Sequence, residues 1–159
     1  MAKFDTEIIK IEGGYVNDPV DAGGETKFGI SKRSYPSVDI KNLTESDAIQ
    51  IYTRDYWNPL RASEIHDQTV ANTVFRYAVH SGVVTSARLL QRTLNKFLGV
   101  SVAVDGKIGP ASLAAVNSLE PVGLDSALRI AIVTHYHDIV TSRPAQSKFL
   151  LGWVNRVLK

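Results

Sequence analysis

Glu12-Gly13-Gly14-Tyr15-Val16-Asn17-Asp18-Pro19-Val20-Asp21-Ala22-Gly23-Gly24-Glu25-Thr26-Lys27-Phe28-Gly29-Ile30 is the passage that separates this chain from a plain bundle of helices. Asn17-Asp18-Pro19 and Gly23-Gly24 are turn signals, and Thr26, Phe28 and Ile30 alternate as a short strand does. A small β-hairpin or loop region is expected near residues 14–30. Just upstream, Phe4, Ile8, Ile9 and Ile11 recur at helical spacing, and Gly13-Gly14 is a helix exit. Glu12 is therefore placed at a helix C-terminus.

After Leu43 the pattern is helical almost throughout. Thr44-Glu45-Ser46-Asp47 has the form of a capping box, and Asn58-Pro59 closes the helix that follows it. Apolar residues at helical spacing predict further helices over 68–81, closed by Gly82, and over 85–97. Asp105 to Pro110 reads as a loop with Pro110 in the first turn of the next helix. Two longer helices are expected at 124–140 and 147–158. The fold class is mainly α, with one small β excursion near the N-terminus.

The 159 residues suffice for one compact domain with its own core. Hydrophobic residues make up 44% and charged residues 21%, an ordinary globular balance that argues against long disordered regions. No apolar run approaches the length of a membrane span, so no stable membrane insertion is expected. Met1-Ala2-Lys3-Phe4-Asp5-Thr6-Glu7 lacks the basic head and apolar run of a secretory signal. The expectation is synthesis in the cytoplasm and a separate route of release. The chain contains no cysteine, which excludes disulfides, thiol nucleophiles and zinc–thiolate sites. His135 and His137 point to different sides of a helix, and no His-x-x-x-His pair occurs, so no metal and no cofactor is expected. A formal charge of +2 with scattered basic residues suits an anionic polymer but not nucleic acid. A monomer is the default expectation.

The chemistry is sought in the 12–30 passage, because loops on a rigid scaffold carry most sites. Glu12 faces the negative pole of its helix, which favours the protonated carboxyl that a general acid needs. The glycines beside it admit a bulky chain. A solvated glutamate at a helix end is the other reading of the same residue. Most glycosidases need a second carboxylate, and Asp18, Asp21 and Glu25 are the candidates. Asp18 before Pro19 and Asp21 before the Gly-Gly pair also fit plain turn roles. Thr26 is suited to hold a water, or to be an ordinary strand residue. Tyr15 and Asn17 are placed to contact substrate. Tyr56 and Trp57 are suited to sugar stacking or to core packing, with Trp57 favoured for a cleft by the loop that follows it.

The pattern Glu12-Gly-Gly-Tyr-x-Asn-Asp-Pro-x-Asp-x-Gly-Gly-x-Thr-x-x-Gly-Ile30 resembles the opening signature of glycoside hydrolase family 108, lysozyme-like N-acetylmuramidases of phage endolysins and secretion-linked loci. Tyr52-Thr53-Arg54-Asp55-Tyr56-Trp57 is similar to the family's Tyr-x-x-x-Tyr-Trp segment. Phe75 through Ala78-Val79-x-Ser81-Gly82 to Leu90-Gln91, and Val104-Asp105-Gly106-x-Ile108-Gly109-Pro110, resemble its predicted peptidoglycan-binding part. Phe149-x-x-Gly152-Trp153-x-x-Arg156 resembles its closing helix.

The resemblance implies a lysozyme-like helical fold. Residues 1–66 would form the catalytic part and 67–159 the peptidoglycan-binding part, packed as one compact unit. It also implies cleavage of the β-1,4 bond between N-acetylmuramic acid and N-acetylglucosamine. The order Glu12, Asp21, Thr26 is similar to that of phage-type lysozymes, with the last step about one residue shorter. It implies that Glu12 protonates the leaving oxygen while Asp21 and Thr26 position a water. Tyr15, Asn17, Asp18 and Trp57 are the implied substrate contacts. Peptidoglycan glycan strands are the implied partner, in phage lysis or in protein secretion. Three residues depart from the family pattern: Ile11 stands where a polar residue is frequent, Arg76 where an acid is frequent, and His80 where asparagine is usual. Arg76 and His80 motivate the alternative of a non-catalytic peptidoglycan-binding module.

Overall fold

The computed structural model describes residues 1–17 and 24–158. It divides into a small unit, residues 4–55, and a large unit made of residues 1–3 and 56–159. Among the described residues there are seven α-helices and one two-stranded sheet, a mainly α fold.

In the small unit, α1 (Glu7–Glu12) buries Ile8 and Ile9 and ends where Gly13 turns to φ 84°. A positive φ at this point is a glycine conformation and stops the helix. Strands β1 (Thr26–Lys27) and β2 (Ile30–Ser31) pair antiparallel, Thr26 opposite Ser31 and Lys27 opposite Ile30. Only Phe28 and Gly29 join them, at φ 52° and 74°. Two consecutive positive values are what the tightest right-twisted hairpins demand. Val16 adds a third rung: its N–H and carbonyl each meet Thr26 at 2.8 Å. The expected β excursion is thus a hairpin over 26–31 with a bridge back to residue 16. Helix α2 (Glu45–Tyr52) opens with the expected capping box, in which Thr44 and Asp47 satisfy each other's backbone N–H. Ile30, Ile40, Leu43, Ala48, Ile51 and Tyr52 supply the buried apolar surface that holds the unit together. The chain runs on from α2 into a π-helical turn, Thr53–Trp57, which periodicity alone does not reveal.

The large unit contains α3 (Gln68–Ser81), α4 (Val83–Phe97), α5 (Pro110–Ser118), α6 (Pro121–Ser142) and α7 (Ser147–Val157). Asp67 caps α3 by accepting from Val70 N–H, and Gly82 at φ 89° separates α3 from α4. Helix α3 packs against both α4 and α6. Val74, Phe75 and Ala78 of α3, Leu90 and Leu94 of α4, and Leu124 and Leu128 of α6 are all buried. Polar bonds fix the register of these helices. The Thr73 hydroxyl donates to Asp125 at 2.5 Å, and Asp125 accepts from Arg129 at 2.7 Å. Arg129 in turn donates to the Val157 carbonyl at the end of α7.

Gln91 performs a similar task for the 105–110 loop. It is 1% exposed. Its amide N–H groups reach Asp105 at 2.8 Å and the Lys107 carbonyl at 3.0 Å, while its oxygen accepts from Gly106 N–H at 2.9 Å. These bonds also hold the Asp105 carboxyl below its usual range. A buried amide that loses its partners costs desolvation with no return, and so do the loop groups it leaves behind. Gln91→Leu is expected to lower the stability of the chain by about 2–4 kcal/mol, read from the midpoint of chemical denaturation.

Tyr77, Ile132 and Tyr136 form a second core, with Trp153 of α7 packed on it. His80 joins this cluster: its Nδ1 lies 2.8 Å from the Tyr136 hydroxyl and its ring meets Trp153 edge-on at 5.7 Å. Loss of water from the ring face packed against these aromatics, with a smaller repulsion from Arg156, holds the His80 imidazole below its ordinary range, while the rest of the side chain stays exposed. The unfolded chain therefore takes up this proton first. The contribution to stability is full above about pH 6.5 and is lost as pH falls through the lower folded value. Lowering the pH from 7.5 to 5 is expected to reduce the denaturation midpoint more for the wild type than for His80→Gln, which cannot titrate.

Candidate active site

Glu12 is the last residue of α1, half-buried, and followed at once by the positive-φ Gly13. The Gly13 carbonyl accepts from Phe28 N–H at 2.9 Å. The end of α1 is thereby tied to the hairpin turn. Across that turn the buried Tyr52 hydroxyl donates to the Phe28 carbonyl at 2.8 Å. Gly29 lies between the two groups. A Cβ placed there would stand 2.6 Å from the Tyr52 oxygen and 2.9 Å from Glu12 Cβ. The missing side chain is what lets the hairpin lie directly against the stem of Glu12, and the positive φ at Gly29 independently favours glycine.

The residues singled out in the sequence occupy different surroundings. Thr26 pairs its backbone with Val16 and with Ser31, on the strand leading into the Phe28–Gly29 turn. Tyr15 is 40% exposed, and its hydroxyl donates to Glu25 at 2.9 Å. Glu25 pushes the Tyr15 phenol up, with Asn17 acting in the opposite sense. Tyr15, Asn17 and Glu25 thus form one polar group on the arms of the bridge at residue 16. Asp18 and Asp21 lie outside the described residues.

Trp57 is a correction. It is 2% exposed, its indole N–H donates to Ser63 at 2.7 Å, and its ring meets Phe75 edge-on at 5.3 Å. A ring so enclosed offers no face for a sugar. The π-helical turn brings it into the core of the large unit despite the loop that follows at Asn58-Pro59. Arg76 is half-buried on α3. His80 serves the aromatic cluster, which gives this departure from the family pattern a packing reason.

Two residues escaped assignment from sequence. The sequence marks Tyr52 as an apolar helix position and as part of the Tyr-x-x-x-Tyr-Trp segment, and Gly29 as a motif glycine. Their signal was the pairing of a motif glycine with a distant tyrosine, which one sequence cannot display. Nearby, Asp55 accepts from Tyr35 at 2.9 Å and from Arg54 at 2.6 Å, and the guanidinium holds this carboxyl low. The small unit also has an open concavity of about 510 Å³, bordered by Asp39, Asp47, Gln50 and Arg54. None of the sequence-selected site residues lines it. Among the described residues no three His, Asp or Glu side chains converge as metal ligands, and no helix is long and apolar enough to cross a membrane.

The fold is mainly α, with a short hairpin beside a glutamate at a helix end. The structure is similar to that of SagA from Brucella abortus, with a TM-score of 0.76 and 28% sequence identity over 95% of this chain and 85% of that one. No curated protein matches the sequence. Residues 6–82 match the family Glycosyl hydrolase 108, and residues 85–158 match the Predicted Peptidoglycan domain. The chain thus carries a segment of the Glycosyl hydrolase 108 type followed by a Predicted Peptidoglycan domain. Its function is accordingly lysozyme-like and related to peptidoglycan.

The Gly29 contact has a direct consequence. Gly29→Ala forces a methyl group into the Tyr52 hydroxyl and the Glu12 stem at an unfavourable φ, and is expected to cost about 1–3 kcal/mol. Tyr52→Phe removes the hydrogen bond to the Phe28 carbonyl and is expected to cost about 1 kcal/mol or more. Thermal denaturation of the two variants checks both values.

Proposed function

We propose that this chain is an N-acetylmuramidase that hydrolyses the β-1,4 bond between N-acetylmuramic acid and N-acetylglucosamine, with Glu12 as the proton donor. The observation that carries the reading is the placing of Glu12. It ends a helix within the matched hydrolase segment, and its stem is held by a turn that tolerates no side chain at Gly29. A general acid must meet the glycosidic oxygen in one geometry, and rigid support of this kind supplies it.

In this reading Glu12 gives its proton to the leaving oxygen as the C–O bond breaks. Asp21 is the proposed base for a water on the opposite face of the sugar, with Thr26 holding that water, so that the anomeric centre inverts. Tyr15, Asn17 and Asp18 are proposed substrate contacts. Glu25, the other candidate for the second carboxylate, already accepts a hydrogen bond from Tyr15. The proposed setting is the bacterial cell wall, reached by holin-type or other release, in phage lysis or protein secretion. The proposed working form is a monomer.

The test is release of reducing ends from purified peptidoglycan. Glu12→Gln keeps the shape of the side chain and removes the proton, and the rate is expected to fall by about 10²-fold or more. Wild-type protein that binds the wall and releases no reducing ends would sink the proposal and leave a binding module.

A further inference from the structure

The open concavity of about 510 Å³ in the small unit has no task in the reading above. Its volume is in the range of pockets that take small ligands. One side is the 38–43 segment, and the other is formed by Asp47, Gln50 and Ile51 of α2 and Arg54 of the turn that follows. Those four stand at intervals of three and four residues, so they share one face.

The 38–43 segment is fastened at three points. Lys32 donates to the Val38 carbonyl at 2.8 Å, Lys27 donates to the Lys41 carbonyl at 3.1 Å, and the Asn42 amide donates to Asp39 at 2.9 Å. Neither lysine borders the concavity. Leu43 and Ile51 are buried, and together with Val38 they give it an apolar lining.

The charges of the lining do not cancel. Asp39 and Asp47 are both anionic. The Asn42 amide, with smaller help from Lys32, holds the Asp39 carboxyl below its usual range, and the Thr44 hydroxyl does so for Asp47. Among the described residues of the lining Arg54 is the one cation, and Asp55 already takes its Nε at 2.6 Å and its Nη2 at 2.7 Å. On a chain of formal charge +2 this is a place of local negative charge. Two polar groups there are also left to solvent. Asp47 receives the Thr44 N–H and hydroxyl on the same oxygen, Oδ2, at 3.1 and 2.6 Å. Among the described residues neither its Oδ1 nor the Gln50 amide has a hydrogen-bond partner.

An alkylammonium group matches this set. Its N–H donors need carboxylate and amide oxygens, and its methylene stem needs apolar surface beside them. A carboxylate ligand is repelled by Asp39 and Asp47.

We propose that this concavity binds the free amine of a lysine-type diamino acid carried on a peptide, with Asp39, Asp47 and Gln50 around the ammonium and Leu43 and Ile51 along the stem. In the cell wall such amines stand on the stem peptides and are converted to amides wherever two strands are cross-linked. The small unit thereby prefers strands that are not cross-linked. This last step rests on the peptidoglycan reading above, and the binding itself does not.

The experiment titrates the full, isotope-labelled wild-type chain with acetyl-Ala-Lys-Ala-amide and with the same peptide acetylated on its side-chain amine. The Gln50 side-chain amide and the Arg54 Nε–H are followed by NMR. Neither peptide holds a glycosidic bond, so the result is independent of hydrolysis. Gln50 is exposed and bonds nothing within the described chain, so its variants keep the fold. Gln50→Glu adds a third carboxylate and is expected to tighten binding of the free-amine peptide by roughly threefold, and Gln50→Lys is expected to weaken it by roughly the same factor. Raised salt is expected to weaken it in every case. Equal binding of the two peptides overturns the proposal. So does the absence of shifts at Gln50 and Arg54, and so does one affinity shared by Gln50→Glu and Gln50→Lys. On insoluble peptidoglycan, in a Glu12→Gln background that leaves the wall intact, Gln50→Lys is expected to be retained less than its parent. Acetylating the amines of the wall is expected to erase that difference, and a difference that persists overturns the wall peptide as the source of the amine.

Discussion

The Tyr52 hydroxyl and the Glu12 stem meet the hairpin from two sides, and the small unit depends on this closeness. Tyr52 takes the Phe28 carbonyl, α1 takes the Phe28 N–H through Gly13, and Gly29 fits because it has no side chain. Each partner alone is weak. A two-residue strand has little stability, and a six-residue helix is too short to persist in water. Together they satisfy one another's backbone groups and place the proposed proton donor on a fixed support. The strain of two positive φ values is accepted at the point where precision is most useful.

The large unit uses buried polar side chains in a comparable way. Apolar burial drives α3, α4 and α6 together but sets their register only loosely. Thr73, Asp125 and Arg129 choose one register for α3, α6 and the end of α7. Gln91 chooses one conformation for the 105–110 loop. Such groups have few acceptable arrangements, because a half-satisfied buried network costs more than an apolar one.

Much of this was legible in the residues. The capping box at Thr44, the bounds of α3 at Gln68 and Ser81, and Pro110 at the start of α5 all follow from local chemistry, and the structure has them where expected. The helix over 7–12 and the hairpin were equally local. Trp57 was not legible, because its burial depends on a π-helical turn that no short-range pattern announces. Gly29 and Tyr52 were visible as letters and invisible as a contact, since they stand far apart along the chain and only the folded chain pairs them. Glu12 was legible as a helix-end glutamate, and its support was not.

The hydrogen bonds of the first residues carry one more implication. Ala2 N–H bonds the Ile65 carbonyl, and Lys3 bonds Gln68 through both its N–H and its carbonyl. These contacts belong to the large unit, so residues 4–55 form an excursion of about fifty residues that leaves the large unit and returns to it. In polymer terms the small unit is a closed loop. Closing it costs entropy that grows only with the logarithm of its length, and doubling that length would add only about 0.6 kcal/mol. The large unit is thus almost indifferent to how much chain the loop contains. Surface insertions in the small unit, away from the hairpin and its two supports, can vary widely without taxing the core that closes the loop.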